Sequence, residues 1–344
     1  MTGSETKLDK DHQYSIQKHF LKKLESVIPS NTSLASELSD VLEISSDSTY
    51  RRLRGETSLS LDEAIKLCEH FNISLDSLGQ QPEGLVTFKY NNLKREQGGF
   101  AIYLEALLKD LKAIRAVEYK KIVYASEDIP VFHNFNHLEV SAFKMFYWMK
   151  SILNVPELQG ESFSISKIPQ HYLDLGKQIY EEYANIPSIE IWTETTIQGT
   201  IKQIEFYHDA GIFESKEDAL NVCEALRKEL THIQSQAEAS HKFTDNNKNL
   251  NEESNYTVYF SEIEITNNCV LVEMGETKSV YLGHLSFNTI STVNQKYSEA
   301  TQEWLNVIIK KSTLISGISE KHRYQFFKKA FQVLDRLIEK IEKE

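Results

Sequence analysis

Apolar positions recur along most of the chain at helical intervals. Ile16, Phe20, Leu24 and Val27 outline a first helix ended by Pro29, Leu34, Leu38, Val41 and Leu42 a second, and Ala64, Leu67, Cys68 and Phe71 a later one. Several short helices within residues 1–80 predict a small all-α bundle. The stretch from Gly79 to Gly84 breaks the periodicity, a short extended segment spans Leu85 to Tyr90, and a polar turn runs through Gly98-Gly99. Residues 81–99 are therefore expected to link the bundle to a second domain, 100–344.

In that second region Leu104, Leu107, Leu108, Leu111 and Ile114 mark a helix, Ile122 to Tyr124 a strand, and Val140, Phe143, Tyr147 and Met149 another helix. The series Ala219, Cys223, Leu226, Leu230, Ile233 and Ala237 alternates steps of four and three, as in a helix that packs along another. Between Tyr256 and Leu285 the pattern becomes alternating, with turn signals at Asn267-Asn268 and from Gly275 to Lys278, which predicts a three-stranded antiparallel meander. Two helices follow, one around Trp304, Val307 and Ile308, the other carrying Tyr324, Phe327, Phe331, Leu334, Ile338 and Ile341. The expected second domain is α+β, with a small antiparallel sheet and long helices.

Composition narrows the classes without changing this layout. Of 344 residues, 40% are hydrophobic and 26% charged, which excludes wholesale disorder, collagen and a disulfide scaffold. Lys and Arg number 38 against 50 Asp and Glu, a net charge of -12, so no global field draws the chain to nucleic acid or an anionic membrane. Any DNA binding must be local. Cys68, Cys223 and Cys269 are odd in number and far apart, no stretch is apolar enough to span a membrane, and the first residues lack a signal-like apolar core; a cytoplasmic location with free thiols is expected.

The chemistry-bearing motifs are sparse. No phosphate-binding glycine loop, dinucleotide fingerprint, nucleophile elbow or H-E-x-x-H occurs, so no cofactor and no catalysis are implied. His133 and His137 sit four apart with Glu139 nearby, but Pro130 and Asn134-Phe135-Asn136 predict a loop ending in a cap, not a metal site. The paired acids Glu127-Asp128 and Glu181-Glu182 are read as solvated surface, and the aromatics Phe132, Phe135, Phe143, Phe146, Tyr147 and Trp148 as core. From Lys310 to Arg323 basic and hydroxyl groups concentrate between two helices, either a loop with an N-cap at Ser319 or an anion site at that helix start.

One segment carries a specific pattern: Leu38-Ser39-Asp40-Val41-Leu42-Glu43-Ile44-Ser45, then Ser46 to Gly55, Leu61 to Phe71, and Asn72-Ile73-Ser74-Leu75-Asp76-Ser77-Leu78. In order and spacing it resembles the XRE/Cro family of helix-turn-helix repressors. About 45 residues are covered. Ser45 or Ser46 can cap the free amides of a recognition helix, and Gly55 can end it in a left-handed conformation. The resemblance implies that helix 46–54 enters the major groove, presenting Ser46, Asp47, Ser48, Thr49, Arg51 and Arg52. Lys18, Lys22, Lys23 and Arg54 would neutralise flanking phosphates.

Where the family has a turn glycine this chain has Glu43, so either a non-glycine residue takes the turn or the turn widens. The inward pair of the recognition helix is either Tyr50 and Leu53, by apolarity, or Thr49 and Arg52, by the family's spacing. Residues 1–80 hold 9 Lys plus Arg against 13 Asp plus Glu, a net of -4.

The expectation is a sequence-specific DNA-binding transcriptional regulator: a homodimer on double-stranded DNA, with an unidentified small-molecule or protein effector and no membrane partner. Phe327, Phe331, Leu334, Ile338 and Ile341 form either a dimer seam or an internal contact with the meander. The alternatives are a protein-interaction module with a degenerate helix-turn-helix domain, and an enzyme with an unrecognised C-terminal site.

Overall fold

The computed structural model describes residues 16–22, 24, 25, 28, 32–71, 84–93, 95, 98–244 and 254–344. Expectations for Lys23, Val27, Pro29, the tail from Asn72 to Leu78 and the breaker residues 79–83 lie outside them. The chain divides into two compact units, residues 1–87 and 88–344. Among the described residues no helix is long and apolar enough to cross a membrane.

In the first unit, residues 16–22, 24 and 25 are helical, followed by α1 (Leu34–Leu42), α2 (Ser46–Leu53) and α3 (Leu61–Phe71). Each start has a local cause. Ser33 accepts from the amide of Ser36 at the start of α1, and Ser45 from that of Ser48 at α2. Before α3, Ser60 and Glu63 form a reciprocal capping box, each side chain accepting from the other's amide at 3.1 and 2.9 Å. Phe20, Leu21, Leu24, Leu38, Leu42, Leu67 and Cys68 meet in one small core.

The second unit is mixed α+β, and its sheet is larger than expected. Among the described residues eight strands lie in the order β1-β7-β6-β5-β2-β3-β4-β8. They are β1 (Lys89–Tyr90), β2 (Lys120–Ser126), β3 (Ser188–Trp192), β4 (Tyr256–Phe260), β5 (Cys269–Met274), β6 (Thr277–His284), β7 (Asn288–Thr292) and β8 (Thr313–Leu314). Helices α4 (Gly99–Ala116), α5 (Leu138–Tyr147), α6 (Gln170–Ala184), α7 (Gln198–Asp209) and α8 (Lys216–Ala239) fall between β1 and β4, with α9 (Gln295–Lys311) and α10 (Glu320–Lys343) after β7.

The small antiparallel meander is thus corrected. β2, β3 and β4 are parallel to one another, as strands joined through helices can be, whereas β5, β6, β7 and β1 continue antiparallel from the other side of β2. Tyr256–Phe260 does not pair with Cys269–Met274, because β2 and β3 stand between them. Asn267 and Asn268 do not close a hairpin there; Asn268 accepts from the Glu127 amide and Asn267 donates to the Gly283 carbonyl, tying the loop to neighbouring strands. Part of the expected linker is strand, since Lys89 and Tyr90 pair with Ser291 and Ile290.

The main core lies on one face of the sheet and gathers most of the aromatic residues, with Phe132, Phe135, Phe143, Phe146 and Trp148 all buried. On the other face α9 packs Leu305 and Ile308 against Val123, Ala125, Ile191, Leu271 and Val280. The inward face of α9 also carries Ser298 and Thr301, leaving Trp304 and Val307 exposed.

The heptad-spaced helix α8 has its partner within the chain. It pairs with α10, which buries Phe326, Phe327, Ala330, Leu334, Leu337 and Ile341, and Arg227 joins Asp335 at 2.6 Å. The seam proposed for a dimer is largely taken up by that packing against α8 and α7, and beside it Phe326 meets Phe260 of β4.

Candidate functional site

Two short helices, α1 and α2, are joined by a tight turn, and α2 leaves a polar face exposed. α1 ends at Glu43, which adopts the left-handed conformation at φ 54°, so a non-glycine residue does take the turn. The Ile44 amide closes on the Ser39 carbonyl, while the Ser39 hydroxyl donates to the Ile44 carbonyl at 2.7 Å. Ser45, in extended conformation, then caps α2. Gly55 follows the helix at φ 75°, where an L side chain is strained.

The inward positions are Thr49 and Arg52, with Leu53 also packed against the small core. Thr49 is fully buried and donates its hydroxyl to the Ser45 carbonyl, while Tyr50 remains 50% exposed. Arg52 makes two bonds to Glu63, at 2.6 and 3.3 Å, and one to the Ser48 carbonyl, with both ionic side chains largely covered. Burial opposes the charge on Glu63, but hydrogen bonds from Arg52 and the Ser60 amide outweigh it and hold the carboxyl below its ordinary range. Thr49 and Arg52 therefore leave the proposed DNA-contact set: one fills the core, and the other staples α2 to α3.

Ser46, Asp47, Ser48, Tyr50, Arg51 and Arg54 remain wholly or partly exposed around the outer face. Tyr50, which apolarity alone would point inward, stands on this outer face. Arg51 pairs with Asp47 at 3.1 Å and Arg54 with Glu56 at 2.7 Å, all four side chains more than half exposed. The Arg54 hydrogen bond holds the Glu56 carboxyl below its usual range. Such exposed pairs contribute little in water and are readily exchanged for another anion. On the preceding helix Lys18 and Lys22 are exposed.

One side chain that no motif flags organises the end of α2. Gln17 donates to the carbonyls of Arg52 and Thr57, at 2.8 and 3.0 Å, and accepts from the Leu59 amide at 3.0 Å. It fixes the loop after the helix to residue 17's own helix, so the outer face has a rigid backing.

The second unit holds a different constellation, around a buried carboxylate. Glu190 lies in β3 and is fully buried. One of its oxygens accepts from His133 Nε2 at 2.8 Å and from the Tyr183 hydroxyl, the other from Trp192 Nε1 and the Tyr256 hydroxyl at 2.8 and 2.9 Å. Burial raises its pKa, but the charge and hydrogen bond of His133, the Tyr183 hydrogen bond and the Lys242 charge prevail, bringing it down to about 2. Glu229, beside His133 and bonded to Asn136, is pushed up to about 7 by burial, and burial lowers Lys242 to about 7. These are the perturbed groups an enzyme reading would need. They are sealed inside the core, with side chains at most a few per cent exposed.

The remaining sequence candidates resolve structurally. His133 sits in a short 3-10 turn and His137 is the residue preceding α5, so the pair does not share a helical face. Asp128 bonds the buried Lys144, which Thr200 and Gln203 also hold. Arg323 is buried and donates to the carbonyls of Ile315 and Gly317, closing a loop, and its guanidinium lies 3.9 Å from the Glu238 carboxylate.

No protein-family model, curated protein or solved structure matches the chain.

Proposed function

We propose that the chain is a sequence-specific DNA-binding transcriptional regulator of the XRE/Cro type, with an N-terminal helix-turn-helix domain whose helix α2 enters the major groove. The observation that carries this reading is the outer face of α2: a capped, braced helix whose exposed groups are hydroxyls, a carboxylate and two arginines held only in exchangeable pairs. Ser46, Asp47, Ser48, Tyr50 and Arg51 contact base edges, where a bidentate arginine–guanine contact is worth about 1 to 3 kcal/mol. Arg54, Lys18 and Lys22 meet phosphates. The regulator acts in the cytoplasm as a homodimer on double-stranded DNA. With the α10 seam buried inside the chain, its contact must use another surface; Trp304 and Val307, three residues apart on α9, are 42% and 46% exposed.

The acidic balance of residues 1–80, a net of -4, favours a second reading in which the same face binds a protein. Salt dependence separates the two. For DNA, fluorescence anisotropy with duplex across a salt series gives a steep log–log slope, and Arg54→Ala reduces it by about one. A flat slope, or no duplex binding, rejects the DNA reading.

A further inference from the structure

A cavity of about 630 Å3 opens in the second unit beside the carboxyl ends of the parallel strands β3 and β4. Sheets with parallel strands commonly bind ligands at that edge. Helices α7 and α10 are drawn together at one end, where Lys340 bonds Glu205 at 3.0 Å and Asp209 at 2.7 Å, and His208 meets Glu344 at 3.0 Å. At the other end the cavity separates them, between Ile197 and Ile201 on one side and Phe326, Ala330 and Val333 on the other. Its floor is apolar, with the rings of Phe260 and Phe326 5.4 Å apart.

The rim is charged, and the two signs stand on opposite walls. Glu194 and Glu262 follow the ends of β3 and β4, whereas His322, Lys328 and Lys329 project from α10. Across the mouth Lys329 and Glu194 approach to 3.9 Å, with side chains 67% and 65% exposed, a contact easily exchanged in water.

We propose that this cavity binds a short apolar peptide with free termini. Its side chains rest on Phe260 and Phe326, its ammonium on Glu194 and Glu262, and its carboxylate on His322, Lys328 and Lys329. A volume of about 630 Å3 suits a small ligand, since such sites span roughly 300 to 1,000 Å3. The opposed signs select a molecule that carries both charges. A fatty acid would leave the carboxylate wall unpartnered, and an organic cation the ammonium wall. A free amino acid could bridge the walls where they approach to 3.9 Å but would leave most of the roughly 630 Å3 unfilled, whereas an extended peptide, at about 3.3 to 3.6 Å per residue, also reaches along the apolar floor.

Calorimetric titration of the full chain with the tripeptide Leu-Phe-Leu tests this, needs no DNA and is independent of the DNA-binding reading. The expected result is saturable binding, weakened about tenfold or more by acetylating the amine or amidating the carboxyl, as loss of a charged hydrogen-bonding partner would do. Ala330→Trp fills the floor and should abolish binding. Should that variant fail to fold, the exposed pair Lys328→Gln with Lys329→Gln decides, with about tenfold loss expected. Absence of binding, equal binding of the blocked peptides, or unchanged affinity in the lysine variant overturns the proposal.

Discussion

The two units dispose of their polar groups in opposite ways. In the first, Asp47, Arg51, Arg54 and Glu56 lie on the surface in pairs that cost little to break, around a core of a few leucines and a phenylalanine. In the second, Glu190 sits fully buried with four donors spent on two oxygens, and Lys144 is buried among Asp128, Thr200 and Gln203. A satisfied buried charge fixes one arrangement of its neighbours and is unavailable to a partner. An exposed pair can trade its partner at almost no cost. Perturbed chemistry therefore marks the scaffold here, and ordinary surface chemistry marks the face proposed to read DNA.

The largest expected effect lies in the scaffold. Glu190→Ala strips four donors of their acceptor and should cost about 3 to 5 kcal/mol. All three tryptophans, Trp148, Trp192 and Trp304, belong to the second unit, so their fluorescence during urea unfolding reports that unit. A loss below about 1 kcal/mol would mean that the network is incidental, and the contrast between the units would collapse.

Acidity sharpens the same contrast. The Glu229 carboxyl is raised by burial from 4.5 to about 7, so the folded chain holds a proton that the unfolded chain releases between those values. This contribution is fully present below pH 4.5 and is lost as pH rises to about 7, by up to about 3 kcal/mol. Glu229→Gln should flatten that slope in tryptophan-monitored unfolding. A slope unchanged in the variant would assign the proton to another group.

Smaller effects belong to the first unit. Gln17→Ala leaves two carbonyls and an amide without their partner and should destabilise it by about 1 to 3 kcal/mol, and Arg52→Ala by a similar amount. Helical circular dichroism would show both, with the tryptophan transition unmoved. Glu43→Gly relieves a left-handed residue and should stabilise the unit by about 1 kcal/mol. If it destabilises instead, the turn differs from the one described.

What the sequence revealed divides along the same line. The first unit is built from local causes: Ser45, Gly55 and the spacing of Leu34, Leu38 and Leu42 act within a few residues of where they stand. The inward choice of Thr49 over Tyr50 followed family spacing and not hydrophobicity, because a buried threonine satisfied by its own helix carries no apolar signal. Gln17 works across 35 to 42 residues and left no trace. In the second unit the helices α4, α5, α8 and α10 were evident from periodicity, but the strand order was not. β3 escaped because Ser188 and Glu190 leave only Ile189, Ile191 and Trp192 apolar among its five residues, and the donors that permit the burial of Glu190 come from residues 133, 183, 192 and 256. The cavity walls come from equally distant segments.

The central claim is that α2 reads DNA through Arg51 and its exposed neighbours. Selection of a random duplex library by the full chain, run in parallel with Arg51→Ala, tests it most directly. The account predicts an enriched motif with half-sites about one helical turn apart, and a variant that unfolds like the wild type yet loses about 1 to 3 kcal/mol of preference at one base. No enrichment, or the same motif at the same affinity from Arg51→Ala, would contradict it.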